Sequence, residues 1–120
     1  EAAGTVAQLP RLEYDFGLAT CEPGARTSAF QWDYPNGWAP LHFIAVHGLL
    51  RYGYRAEAER IARKYIHAID RTFAETGTLW EKYNVTDGTL NVTDEYKMPP
   101  MLGWTAGVYV DFTTLLAPNG

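Results

Sequence analysis

From Leu41 onward the apolar residues recur at intervals of three and four: Leu41, Ile44, Ala45, Gly48, Leu49 and Tyr52 fall on one side of a 3.6-residue spiral. This spacing predicts a helix that opens at Pro40, where a missing N–H costs nothing, and closes before Gly53. A second series, Ala58, Ile61, Ala62, Tyr65, Ile66, Ile69 and Phe73, predicts a helix over 55–75, with Gly77 placed to end it in left-handed geometry. The connector around Gly53 and Tyr54 is so short that the two helices are expected to form an antiparallel hairpin. Trp104, Val108, Phe112, Leu115 and Leu116 predict a third helix over 104–116, in which Gly103 and Gly107 permit a neighbour to approach closely.

The remaining segments carry no such period. Residues 1–29 contain Pro10, Gly17, Pro23 and Gly24 and are expected to be extended or looped, with a short strand around 12–16. Residues 76–100 form a long irregular segment with Gly77, Gly88, Pro99 and Pro100, longer than a passive connection requires and therefore expected to carry function. The order loop, helix, helix, loop, helix predicts an all-α fold with its long loops gathered at one end. There is no internal repeat or low-complexity tract.

Composition narrows the function. With 120 residues the chain holds one domain at most, and 47% hydrophobic against 20% charged residues places it among folded chains. A net charge of -4 excludes nucleic acid as partner, since the basic residues of 51–71 alternate with Glu57, Glu59 and Asp70 as a solvated helix face. Cys21 is the single cysteine, so no intrachain disulfide is possible. His42, His47 and His67 lack ligand spacing, and neither a metal nor another cofactor is expected. No apolar run approaches the ~18 residues of a membrane span. No basic stretch followed by an apolar run marks a signal peptide, which leaves periplasm and cytoplasm both open. Asn84-Val85-Thr86 and Asn91-Val92-Thr93 match the glycosylation pattern and are read as chance.

The richest chemistry lies in Gln31-Trp32-Asp33-Tyr34-Pro35-Asn36-Gly37-Trp38-Ala39-Pro40. Indoles stack on sugar faces, and Gln31, Asp33 and Asn36 offer hydrogen bonds to hydroxyls. Pro35, Gly37 and Pro40 hold the backbone in a turn. Glycoside hydrolysis needs two carboxyls flanking the scissile bond. Three carboxylates here sit in aromatic loop sequence: Asp33, Glu81 and Glu95. Each also has a structural reading: a cap or turn bond for Asp33, an ion pair with Lys82 for Glu81, plain solvation for Glu95. Trp32, Trp38, Trp80 and Trp104 serve equally well as core or as sugar platforms.

The Gln-Trp-Asp loop, the Glu81-Lys82-Tyr83 segment and Gly103-Trp104-Thr105-Ala106-Gly107 occur in the order found in trehalases, the glycoside hydrolases of family 37. The chain resembles that family over roughly residues 17–116. The resemblance implies an (α/α)6 toroid of six concentric helix pairs, with residues 1–120 as a partial catalytic domain, its C-terminal segment. It implies inverting hydrolysis of α,α-trehalose, with Glu81 as general base, and Gln31, Trp32, Asp33, Asn36, Trp38, Glu95 and Trp104 as substrate-binding residues. The family's catalytic acid is an aspartate in an earlier motif, and no residue here matches it. The chain, which does not begin with Met, is therefore expected to be a fragment of a longer protein, inactive without the preceding part and left with uncovered apolar helix faces. Where many bacterial members carry a glycine-rich stretch before the second glutamate, this chain has residues 85–94 instead. A toroidal hydrolase of another glucoside or mannoside, and a noncatalytic sugar-binding module, are the alternatives.

Overall fold

The computed structural model describes residues 2–24, 30–92, 95–100 and 103–118. Four helices carry it: α1 (Ala2–Leu12), α2 (Ala39–Arg51), α3 (Arg55–Thr76) and α4 (Gly103–Leu116). Two small antiparallel ribbons complete it. One pairs β1 (Glu13–Tyr14) with β2 (Gly17–Leu18), and the other pairs β3 (Asn36–Trp38) with β4 (Lys82–Asn84). Among the described residues no helix is long and apolar enough to cross a membrane.

The three predicted helices form close to the expected boundaries because their ends are chemically marked. Pro40 sits in the first turn of α2, and Gly77 ends α3 at φ 71°, returning its N–H to the Phe73 carbonyl. The turn at Gly53 folds α3 back onto α2, and α4 packs against both. The core forms where the three meet: Val46 and Leu49 from α2, Ile61, Ala62, Tyr65 and Ile69 from α3, Val108 and Phe112 from α4. On α3 the buried face is nearly the one the spacing predicts, although Phe73 lies outside it. Along α2 the prediction is rotated. The buried face is Ala39, His42, Val46 and Leu49, whereas Ile44 is 66% exposed and Tyr52 is also exposed. This helix is apolar nearly all round, so periodicity does not select which side turns inward.

Residues 2–12 are helical rather than looped. Val6, Leu9 and Leu12, three residues apart, turn toward the core, and Pro10 comes too near the C-terminal end to break more than the last turn. The strand expected around 12–16 is present as the β1–β2 hairpin. Its Glu13 accepts two bonds of 2.8 Å from Arg60 and one of 2.7 Å from Lys64, both on α3. The Arg60 hydrogen bonds, opposed by burial and assisted by Lys64, hold the Glu13 carboxyl below its ordinary range. The Phe16 N–H bonds the Val85 carbonyl at 3.0 Å, so this hairpin also braces the segment after β4.

Apolar surface remains uncovered. A groove of about 360 Å³ between α2 and α4 is lined by Pro40, Phe43, Ile44, Trp104, Gly107 and Val108. Another of about 260 Å³ lies between α3 and α4, around Phe73, Leu79 and Val110.

Gly17, the first residue of β2, has φ 139°, and a methyl group there would lie 2.5 Å from His42 Nε2 and 2.6 Å from the Tyr83 hydroxyl. Gly17→Ala is therefore expected to destabilise the protein by roughly 2 to 4 kcal/mol through strain and overpacking. An unchanged denaturation midpoint would refute that account.

Candidate active site

The Trp loop and the Glu81-Lys82-Tyr83 segment, 46 residues apart by their strand register, are joined edge to edge. Asn36 pairs with Asn84, Gly37 with Tyr83 and Trp38 with Lys82. The loop before β3 closes on the Gln31 carbonyl, which accepts both the Asn36 amide and the Trp38 indole N–H at 3.0 Å. The Asp33 carboxylate accepts the Phe30 N–H at 3.0 Å and lies 3.9 Å from the Cys21 thiol. Of the two readings of Asp33, the turn bond is the one its contacts display. Asn36 is fully buried, and its carbonyl also accepts the Thr20 N–H and hydroxyl.

The two indoles of the loop divide their roles. Trp38 is 2% exposed and forms the floor; Trp32, 42% exposed, stacks on it at 3.8 Å with the planes 10° apart. Trp104, at the start of α4, meets Trp38 edge-on at 6.0 Å. The structure thus gathers three of the four tryptophans, with Trp32 and Trp104 presenting surface. Trp80 stands apart, its indole N–H on Thr76 and its carbonyl accepting the Thr105 hydroxyl at 2.8 Å. Gln31 Oε1 is buried and has no hydrogen-bond partner among the described residues. Such an acceptor is costly to leave unmade, which makes it a natural anchor for a hydroxyl.

Glu81, directly before β4, is buried beside this floor. Its Oε2 receives the Lys82 ammonium at 3.0 Å and the Tyr96 hydroxyl at 2.6 Å. Lys82 lies with no exposed surface between the Trp38 ring, 5.0 Å away, and the Tyr96 ring, 4.9 Å away. A sequence neighbour of Glu81 therefore turns toward it and not to the opposite side. Glu95 is exposed, next to Tyr96 on the same loop. Sequence reasoning did not single out Tyr96; its signal was adjacency to Glu95 in an aromatic loop. Among the described residues no group of three or more His, Cys, Asp or Glu is placed to hold a metal ion.

His42 holds the scaffold under this site. Its Nε2 accepts the Leu18 N–H at 2.9 Å and its Nδ1 bonds the Trp38 carbonyl at 2.8 Å. A carbonyl only accepts and an amide only donates, so the ring must be neutral with its proton on Nδ1. Full burial, only partly offset by the Trp38 carbonyl, pushes its pKa down to about 4. Tyr83 adds a hydroxyl 3.2 Å from the same Nε2 and donates to the Phe16 carbonyl at 2.7 Å. Asn84 is buried with its amide on the Asn91 carbonyl and its oxygen on Thr86, an arrangement that leaves no room for a glycan.

Comparison with known proteins bears on this geometry. A family model described as Trehalase matches residues 4–117. The periplasmic trehalase of Pseudomonas aeruginosa is 39% identical over 104 residues, covering 86% of this chain and 18% of that protein. That of Xanthomonas axonopodis pv. citri is 43% identical over 93 residues, 77% of this chain and 16% of its own. Among solved structures, neutral trehalase from Saccharomyces cerevisiae superposes with a TM-score of 0.80 at 33% identity, over 97% of this chain and 20% of that one. The chain thus spans about a fifth of the length of these relatives, and its helices are an arc of the all-α toroid.

The neutral imidazole gives the fold a pH dependence. His42 protonates near 6.5 when unfolded but near 4 in the fold, so as pH falls the unfolded chain takes up the proton first. Stability present above pH ~6.5 should decline by up to roughly 3 kcal/mol on acidification to pH ~4. Denaturant unfolding between pH 7 and 4.5 checks this: the wild type should lose stability more steeply than a His42→Gln variant. Parallel curves would remove His42 as the cause.

Proposed function

We propose, from the premise that the chain belongs to the trehalase family, that it forms one wall of the active site of an inverting hydrolase of α,α-trehalose. The observation that carries the reading is the convergence of two distant segments. The ribbon sets a buried, hydrogen-bonded carboxylate, Glu81, beside a floor of stacked indoles. A glucose ring resting on Trp32, with Trp104 at its edge, would have hydroxyls within the province of Gln31 and Glu95. Asn36, Trp38 and Asp33 then serve the sugar indirectly, by holding the loop that presents Trp32 and Gln31.

In this reaction the Glu81 carboxylate takes a proton from water as the water oxygen bonds to the anomeric carbon. The bond from that carbon to the bridging oxygen breaks on the opposite face, and the bridging oxygen is protonated by the catalytic acid. Inversion requires the two carboxyls to stand ~6.5 to 9.5 Å apart, leaving room for the water. Asp33 is an unsuitable acid because one of its oxygens accepts the Phe30 N–H inside its own loop and the other faces the Cys21 thiol. The acid is assigned to sequence outside these 120 residues, in the larger part of the toroid. That part would also cover the apolar grooves beside α4. Residues 1–120 are accordingly read as part of a catalytic domain acting without metal or other cofactor. The bacterial relatives are periplasmic by name, and the same compartment is proposed here.

Two measurements test the proposal. Glu81→Gln in the complete enzyme should lower kcat for trehalose by about a hundredfold or more; near-normal turnover would rule out the base role. The 120-residue chain alone should release no glucose from trehalose, and robust turnover would show that a proton donor lies within it.

A further inference from the structure

The two hydrogen bonds on Glu81 fall on one of its oxygens. Tyr96 and Lys82 both bind Oε2, and among the described residues no hydrogen bond ends on Oε1. We propose that Lys82 and Tyr96 are positioning residues which lock the Glu81 carboxylate in one rotation, so that Oε1 is the oxygen that meets the attacking water. The inference rests on the assignment of Glu81 as the base and extends it to a division of labour between the two carboxylate oxygens.

The geometry makes the lock rigid. A carboxylate oxygen bonded to both an ammonium and a phenol resists rotation, because turning the plane breaks two charge-assisted bonds together. The ammonium cannot follow a rotating carboxylate, since it is held between the faces of Trp38 and Tyr96 and has no exposed surface. Tyr96 is at once a wall of the cation's cage and a donor to the anion, so one side chain fixes both members of the pair. Lys82 lies opposite Trp38 in the ribbon, and Trp38 underlies Trp32. The base and the proposed sugar platform are therefore built on one rigid stack, and a general base works only if its lone pair is aimed.

The deciding variant is Tyr96→Phe, which deletes one oxygen from a residue that is 41% exposed and so spares the fold. In the complete enzyme its kcat for trehalose should fall about tenfold or more with KM within about twofold, as expected when an interaction acts on the chemical step and not on binding. Lys82→Met should show the same split, provided circular dichroism confirms the fold. In a Glu81→Gln background, Tyr96→Phe should cause little further loss, because the two act through one group. Wild-type kcat in Tyr96→Phe beside an inactive Glu81→Gln would overturn the lock and leave the base in place. An additive loss in the double variant would do the same, by showing that Tyr96 acts elsewhere. An active Glu81→Gln would overturn the base assignment itself.

Discussion

The direction of hydrogen bonding at His42 governs the architecture. One ring nitrogen faces an amide that only donates and the other a carbonyl that only accepts, so a single neutral tautomer satisfies both. Through that ring the β1–β2 hairpin, the end of the Trp loop and α2 are tied to a common point, with Tyr83 of β4 touching the same nitrogen. No aliphatic residue makes these bonds, and a charged imidazole would put a donor against a donor. The close approach of Gly17 follows from the same requirement: the hairpin backbone reaches the ring only where a side chain is missing.

On that scaffold the protein maintains an arrangement that stability alone would not favour. A lysine without exposed surface beside a buried glutamate carries a desolvation cost of several kcal/mol per ion, recovered only where partners are close and well aimed. The alignment of Tyr96, the two aromatic faces around the ammonium and the cross-strand placement opposite Trp38 all contribute to that recovery. Ion pairs along the exposed side of α3, such as Arg55 with Glu59 and Arg71 with Glu75, are of a different kind and contribute at most about 1 kcal/mol each. Under the proposed function the buried pair is explained by chemistry, whereas the surface pairs call for no such account.

Helix ends were readable because single residues mark them, Pro40 for α2 and Gly77 for α3. The inward face of α2 was not, since a helix apolar on most sides satisfies several stripes equally. Helix α1 escaped notice because Pro10 reads as a breaker, while among the described residues its core contact is the narrow line of Val6, Leu9 and Leu12. The β3–β4 ribbon had no local signal at all: three-residue strands are too short to show alternation, and their pairing spans a whole helical hairpin. That unseen ribbon is what turns Asn36 and Trp38 inward. Residue types and motif order pointed to a carbohydrate site with Glu81 in it. The partners of Glu81 depended on which loops the fold brings together, and a linear reading does not contain that.

The indole stack also makes the molecule its own reporter. Two tryptophans in face-to-face contact, one wet and one dry, lie close enough to exchange excitation, and an ammonium sits over the dry ring. Light absorbed anywhere in the cluster is thus sensitive to what covers the exposed face of Trp32. If Trp32 is the sugar platform proposed above, its occupancy should alter the intrinsic fluorescence of the native protein without a dye.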